Sequence, residues 1–297
     1  MTFEEKFSHY TKMINDGLSN EFKEKDCLQR VVYDAMTYSV MAGGKRLRPM
    51  LCLAVCDILG GCTEDALRFG IAIECIHTYS LIHDDLPCMD NDDLRRGMPT
   101  CHKKFGEANA LLAGDGLLTG AFEYIAGFSA YKDAKPETVL RAVFELSKAA
   151  GCDGMIGGQV VDLDCEGKTD VNEETLNYLH QRKTGALIRV SALLGALAAD
   201  ASEGEIKAVT EFAQKLGLAF QIQDDILDCE GDESVLGKPI GSDAENEKTT
   251  YVTLLRIDAA REKASALTSE AVKALDVFGD KADFLKELAQ RLMGRRN

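Results

Sequence analysis

Apolar residues recur along most of the chain at steps of three and four positions, which is the period of an α-helix. One such run contains Leu187, Val190, Leu194 and Leu197, whereas strand-like alternation over six residues is hard to find. The window from 137 to 238 contains no proline, and proline is the residue that costs most inside a helix. The pattern therefore predicts long, uninterrupted helices through this window.

Clusters of glycine and polar residues divide this helical pattern, and such clusters are typical of connections between helices. They lie at 60–61, 133–136, 167–170, 200–204 and 231–241. The chain has no repeat of fixed period, no low-complexity tract and no shift of composition that would mark a linker. These features favour an all-α chain of about ten or more helices, folded as a single domain over residues 1–297.

Composition and charge narrow the possible functions. With 45% apolar residues the 297-residue chain can bury a sizeable core, and its net charge of −15 argues against nucleic acid or an anionic membrane as partner. The N-terminal segment lacks the apolar core of a signal peptide, and no apolar run is long enough for a membrane span. None of the ten cysteines forms a Cys-x-x-Cys pair. We expect buried thiols in a reducing cytoplasm, with disulfides or a zinc site as the alternatives.

The first cluster of chemical interest is HDDLPCMDNDDLRRG, at positions 83–97, where five aspartates occur within ten residues and two arginines follow. Asp84 and Asp85 end an apolar helical pattern, and Pro87 disfavours its continuation. The chain can then bend and bring Asp90 back beside the pair. A calcium-binding EF-hand loop is excluded, because counting from Asp90 neither the glycine at the sixth position nor the glutamate at the twelfth is present.

The second cluster is FQIQDDILD, at positions 220–228. At 100° per residue Asp224, Asp225 and Asp228 share one helical face with Gln221, and their neighbours are apolar. Three carboxylates on a buried face, with no basic residue within four positions, would be costly without a cation. Oxygen ligands of this kind suit Mg²⁺ or Mn²⁺, and Mg²⁺ is commonly held by a few carboxylates together with substrate phosphates. A polyphosphate bound with Mg²⁺ between the two clusters is therefore the expected ligand, and a solvated acidic face is the alternative interpretation.

With these motifs the chain resembles the trans-isoprenyl diphosphate synthases, most closely the bacterial farnesyl diphosphate synthases. DDLPCMD resembles the first aspartate-rich motif of the family in its longer form, and DDILD resembles the second. Five further blocks follow the family order: GGKRLRP at 43–49, GDGLLTGAF at 114–122, GGQVVDL at 157–163, KTGALI at 183–188 and GKPIGSDAENEKTTY at 237–251. One such motif alone is weak, but seven ordered blocks are very specific.

The resemblance implies a helical bundle around a deep central cavity and a homodimer. In this family an allylic diphosphate ionises, and isopentenyl diphosphate captures the carbocation to give an allylic product five carbons longer. No protein nucleophile is required. The cofactor implied is Mg²⁺, as several ions, with Mn²⁺ as an alternative.

The resemblance also implies roles for individual residues. The expected metal ligands are Asp84, Asp85, Asp90, Asp224 and Asp228, and the expected catalytic set adds Asp225 and Lys183. The expected contacts of the allylic diphosphate are Arg95, Lys183, Thr184, Gln221 and Lys238. The expected contacts of isopentenyl diphosphate, in a separate metal-free site, are Gly44, Lys45, Arg48, His77 and Arg96.

Product length is expected to depend on Tyr79 and Ser80, which lie one helical turn before Asp84. A bulky Tyr79 would form the floor of the cavity and stop growth at farnesyl diphosphate, unless Tyr79 is only core packing. Geranylgeranyl diphosphate is the second candidate product, and a class I terpene cyclase or an inactive partner subunit is the rival function. One departure from the family pattern is Arg256, where glycine is usual, and we expect it to cap a helix or turn the chain.

Overall fold

The computed structural model describes residues 1–168, 170–230 and 249–294. Within these ranges the chain forms fourteen α-helices, which confirms the all-α prediction. The helices are α1 (Phe3–Glu21), α2 (Arg30–Met41), α3 (Leu47–Ile58), α4 (Thr63–Asp84), α5 (Cys101–Phe105), α6 (Glu107–Ala126), α7 (Pro136–Ala150), α8 (Met155–Cys165), α9 (Glu173–His180), α10 (Ala186–Ala198), α11 (Glu203–Glu230), α12 (Tyr251–Leu255), α13 (Ile257–Ala274) and α14 (Asp283–Gly294).

Helices α3, α4 and α10 form the centre of the main core and pack against one another. Helices α3 and α10 are buried on nearly all sides, as expected for helices that are apolar all round. At Gly195 a Cβ atom would clash with the carbonyl oxygen of Cys52. Glycine at this position therefore allows α10 to lie directly against the backbone of α3.

A second, smaller core lies around Tyr251, which is fully buried. It joins α9, α11, α12 and α13 through Leu176, Ile222, Ile226 and Ala264. The ring of Tyr251 stacks on His180 at a centroid distance of 5.5 Å, and its hydroxyl donates to the side chain of Asn177. This core holds the helix of the second aspartate cluster against the end of α9.

The connections between the described helices include those that the sequence pattern predicted and several that it did not. The predicted breaks near 60, 133, 168 and 200 are all present, and the break at 231–241 lies outside the described residues. An additional break separates α7 from α8 at 151–154, where two glycines in four residues were the available signal. No described helix is apolar enough over a sufficient length to cross a bilayer.

A buried carboxylate fixes the position of α4 in the bundle. Asp65, in the first turn of α4, accepts hydrogen bonds from the backbone amides of Lys132, Asp133 and Ala134, each at 2.8 Å. Three amide donors satisfy this buried charge. The start of α4 is thus attached to the connection between α6 and α7, far from the end of α4 that carries Asp84.

Candidate active site

The first aspartate cluster, Asp84, Asp85 and Asp90, is formed where α4 ends. The backbone amide of Asp90 donates to the carbonyl oxygen of Asp84 at 2.8 Å, so the seven-residue segment 84–90 closes on itself. Asn91, with a φ of 54°, then leads the chain away, and asparagine tolerates this left-handed conformation. The bend predicted from Pro87 is therefore present, and it returns Asp90 to Asp84.

The charges of this cluster oppose one another. Burial raises the pKa of Asp84 to about 6; Lys183 acts against this rise, whereas Asp90 and Asp85 add to it. Negative charge thus accumulates at the end of α4 in a partly buried place. Such a site favours a bound cation.

A short β-hairpin presents the two arginines that follow the cluster. Strand β1 (Leu94–Arg95) pairs antiparallel with β2 (Met98–Pro99). The two turn residues, Arg96 and Gly97, have positive φ values of 54° and 75°, as a type I′ turn requires. The sequence reasoning missed this hairpin, although the glycine directly after two arginines could have indicated a turn.

The hairpin directs its two arginines to different partners. Arg95 binds the buried carboxylate of Asp85 through Nε, at 2.8 Å from Oδ1 and 2.9 Å from Oδ2. Arg96 turns the other way and donates to the carbonyl oxygen of Gly43. A Cβ atom at Gly44 would lie 2.6 Å from the Arg96 guanidinium, so glycine is needed for this approach.

Arg96 belongs to a guanidinium cluster that also contains Arg46 and Arg48. The Nε atom of Arg48 is buried and has no hydrogen-bond partner among the described residues. His77 lies nearby: burial, together with Arg48 and Arg96, holds the pKa of His77 well below its usual value, so its imidazole is neutral. A neutral imidazole and an unsatisfied guanidinium donor suit an anion that brings no metal ion with it.

Arg46 and Glu74, which the sequence reasoning did not select, form a buried ion pair beneath this cluster. Their side chains are each 3% exposed, and Nη1 of Arg46 lies 2.6 Å from Oε1 of Glu74. Arg46 also donates to the carbonyl oxygen of Val40 at 2.7 Å and has a φ of 48°. The ion pair fixes the backbone between Lys45, which is exposed, and Arg48.

The second aspartate cluster, Asp224, Asp225 and Asp228, lies along α11. Burial lowers the pKa of Arg48, and the negative charges of Glu74 and Asp224 act against this effect. Oδ2 of Asp225 instead accepts a hydrogen bond from the backbone amide of Tyr251 at 2.8 Å. In this structure Asp225 therefore fixes the start of α12. Asp228, which lies on α11 like Asp225, is also buried.

A π-helical turn, Gln181–Gly185, joins α9 to α10 and carries Lys183 and Thr184. Such turns are frequent at functional sites, because one extra residue changes the direction of the side chains. Thr184 donates to Oε1 of Gln221 at 2.9 Å, and Lys183 donates to Oδ2 of Asp162 at 2.5 Å. Lys238, the remaining expected contact of the allylic diphosphate, lies outside the described residues.

Tyr79 and Ser80 lie on the last turns of α4. Tyr79 is 5% exposed, and its buried hydroxyl has no hydrogen-bond partner among the described residues. Its ring meets His83 edge-on at a centroid distance of 5.7 Å, while Ser80 donates to the carbonyl oxygen of His77. Cys75, one turn before Tyr79, lines a cavity of about 720 Å³ between α2 and α6.

The donor set fits Mg²⁺ that is completed by a diphosphate. Within the described ranges, no three His, Cys, Asp or Glu side chains converge closely enough to hold an ion by themselves. Mg²⁺ usually keeps several waters and takes one or two carboxylates plus substrate phosphates. The accumulation of carboxylates at Asp84 and Asp90 supplies that kind of partial site.

Comparisons with known proteins agree with this geometry. Residues 29–288 match the polyprenyl synthetase family. The chain is 46% identical over 284 residues to a farnesyl diphosphate synthase of Bacillus subtilis, covering 96% of this chain and 95% of that protein. It is 48% identical over 268 residues to a chloroplastic geranylgeranyl pyrophosphate synthase of Capsicum annuum, covering 90% and 72%.

A solved structure is similar over almost the whole chain. It is an FPP/GFPP synthase from Zymomonas mobilis without ligand, with a TM-score of 0.88 and 39% sequence identity. The similarity covers 98% of each of the two chains.

Proposed function

Because the chain belongs to the polyprenyl synthetase family and is a short-chain trans-prenyltransferase, we propose that its product is farnesyl diphosphate. It condenses isopentenyl diphosphate with dimethylallyl diphosphate and then with geranyl diphosphate. The observation that carries the proposal is the separation of two unlike sites near α4. Carboxylates surround one site at Asp84, and guanidinium groups surround the other at Arg48 and Arg96.

The carboxylate site takes the allylic diphosphate. Members of this family generally depend on Mg²⁺, and here the ions would be held by Asp84, Asp85, Asp90, Asp224 and Asp228. When bound, they neutralise the charge that develops on the leaving diphosphate. Lys183 and Arg95 bind the same diphosphate, and Thr184 with Gln221 orients it.

The guanidinium site takes isopentenyl diphosphate. Arg48, Arg96, Lys45 and neutral His77 bind its diphosphate, and Gly44 permits the close approach of Arg96. This diphosphate stays bound, because its carbon–oxygen bond is not allylic and breaking it would leave a cation without resonance stabilisation. As the allylic carbon–oxygen bond breaks, the double bond of isopentenyl diphosphate forms the new carbon–carbon bond. The proton lost afterwards is taken by the released diphosphate.

Tyr79 supports farnesyl diphosphate as the end product. It is buried and lies about one turn before Asp84, a position that suits a residue limiting how far the growing chain extends. Geranylgeranyl diphosphate is the second candidate, supported by the Capsicum annuum relative and by the cavity that Cys75 lines. A cyclase or an inactive subunit is disfavoured, because both aspartate clusters and the guanidinium cluster are retained.

We also propose that the enzyme is a homodimer. Large apolar side chains are exposed on three neighbouring helices: Leu111 and Leu112 on α6, Leu140 and Phe144 on α7, and Ile156, Val160 and Leu163 on α8. Large apolar side chains exposed on neighbouring helices favour a protein partner.

The deciding experiment incubates purified protein with Mg²⁺, labelled isopentenyl diphosphate and, separately, each allylic primer. The products are dephosphorylated and sized by chromatography, and a sample with excess EDTA is the control. A dominant fifteen-carbon alcohol that disappears with EDTA would support the proposal. A twenty-carbon alcohol would make geranylgeranyl diphosphate the product instead. If no primer were elongated, the proposed reaction itself would be contradicted.

A further inference from the structure

Lys183 is held by Asp162, a carboxylate outside the metal-binding and diphosphate-binding residues proposed for this reaction. Its ammonium lies 2.5 Å from Oδ2 of Asp162, and the two side chains are 28% and 15% exposed. A short, charge-assisted hydrogen bond between partly buried groups is stronger than an exposed ion pair. Asp162 therefore determines where the Lys183 charge lies before substrate arrives.

Helix α8 is built to support this contact. Gly158 and Asp162 are four residues apart on α8 and so lie on the same face. A Cβ atom at Gly158 would clash with the backbone nitrogen of Lys183 and would lie 2.7 Å from its Cα atom. The backbone of α8 thus packs directly on the π-helical turn, with position 158 against the Lys183 backbone and position 162 on its charge.

A second carboxylate competes for the same ammonium. Among the charged neighbours of Asp84, Lys183 is the one that acts most strongly against the rise in its pKa, so the two groups are close. A lysine ammonium is a point charge on a flexible four-carbon stem. Without Asp162 it would turn to Asp84, the carboxylate expected to bind Mg²⁺ with the allylic diphosphate.

We propose that Asp162 is a positioning residue for prenyl transfer: it holds the Lys183 ammonium at the allylic diphosphate site and keeps it from pairing with Asp84. The inference rests on the proposed function, because it gives Lys183 and Asp84 their roles in that reaction. Asp162 acts only through Lys183 and touches neither substrate.

The test compares the wild type with Asp162→Asn, which keeps the size of the side chain and removes its charge. The KM for geranyl diphosphate should rise about tenfold, as expected for loss of one charge-assisted hydrogen bond. The Mg²⁺ concentration for half-maximal rate should rise with it, because Asp84 is then paired with Lys183. The KM for isopentenyl diphosphate should stay within about twofold, since its site does not include Lys183. Asp162→Glu keeps the charge and should recover most of the loss.

Three controls separate positioning from general damage. Asp164→Asn changes an exposed carboxylate on the same helix and should leave both KM values unchanged. In a Lys183→Ala background, Asp162→Asn should add less than a twofold effect, because the group that it positions is gone. Calorimetric titration with inorganic diphosphate and Mg²⁺ measures the same loss of affinity without turnover.

Two outcomes would overturn the proposal. One is an Asp162→Asn variant with wild-type KM for geranyl diphosphate and wild-type diphosphate affinity. The other is an equal rise of both KM values together with a lower melting temperature, which would make Asp162 merely structural. If the wild type formed no elongated product, the proposed function would fail, and the calorimetric titration alone would decide whether Asp162 positions Lys183 for diphosphate.

Discussion

Two side chains of α4 that lie about two turns apart meet opposite electrostatic surroundings. His77 faces guanidinium groups that, with burial, hold its pKa low, whereas Asp84 lies in a partly buried carboxylate cluster where its pKa rises to about 6. One helix thus separates a site that attracts an anion directly from a site that first attracts a cation. Two substrates that both carry diphosphate can be distinguished by this difference.

The site residues that belong to a recognisable sequence motif could be predicted, but the acidic residues that pair with neighbouring basic residues could not. The aspartates and arginines are conspicuous because like charges are crowded within a few positions. Glu74 stands in an apolar helix and Asp162 in an ordinary acidic stretch, and their partners are 28 and 21 residues away. Only the fold brings these pairs together. The GGQVVDL block containing Asp162 was the available signal.

At the residue scale, Tyr79→Ala should shift the main product from fifteen to twenty carbons. Removing the ring opens a path along α4 toward the cavity that Cys75 lines. The measurement is chromatography of the dephosphorylated products from geranyl diphosphate and isopentenyl diphosphate. A thermal melt must accompany it, because loss of a buried aromatic side chain costs about 3–5 kcal/mol of folding free energy.

The matched control is Tyr79→Phe. The Tyr79 hydroxyl has no hydrogen-bond partner among the residues described, so phenylalanine should keep both the floor and the fifteen-carbon product. An unchanged product in folded Tyr79→Ala would remove Tyr79 from this role. Longer products in the phenylalanine variant would assign the effect to the hydroxyl instead of the ring.

At the scale of elements, periodicity predicted the long helices and missed the shortest pieces. The hairpin has two residues in each strand and the π-helical turn has five, too few to give a period. Yet these pieces orient Arg95, Arg96, Lys183 and Thr184. The sequence therefore identified side chains of the candidate site, but not the hairpin and the π-helical turn that orient them.

The junction between α12 and α13 gives a prediction at this scale. Arg256 joins the two helices with φ 69° and ψ 155°, so the expected turn at this residue is confirmed. This region of backbone space is essentially restricted to glycine and costs other residues about 1–3 kcal/mol. Arg256→Gly should raise the free energy of unfolding by about 1 kcal/mol after the entropy cost of glycine. Denaturant unfolding measures the change.

Arg256→Ala separates backbone strain from loss of the arginine side chain. Alanine keeps a Cβ atom and should give no stabilisation, since the strain depends on that atom. If alanine stabilised the protein as much as glycine does, the gain would come from removing the charge and the strain argument would be wrong.

At the scale of the whole molecule, the helical bundle follows from composition and pattern, but the meeting of distant segments does not. The charge of Lys183 acts on Asp84, the charge of Asp224 acts on Arg48, and Thr184 donates a hydrogen bond to Gln221. These interactions depend on how α3, α4, α11 and the π-helical turn pack, which no local pattern specifies. The apolar surface of α6, α7 and α8 is a property of the same scale, because it becomes visible only when the buried faces are known.

That surface supports the last prediction, which concerns assembly. Leu140 and Phe144 are 71% and 61% exposed on one face of α7, which packs beside both α6 and α8. In a homodimer this face would be covered, and charged residues there would have to be buried unpaired. Light scattering should give the wild type twice the mass of one chain, and the double variant Leu140→Glu with Phe144→Glu should move toward a single chain. Val277→Glu changes an equally exposed apolar residue outside these helices (74%) and should leave the mass unchanged. A wild type of single-chain mass would refute the homodimer, and a double variant that keeps the doubled mass would move the interface to another face.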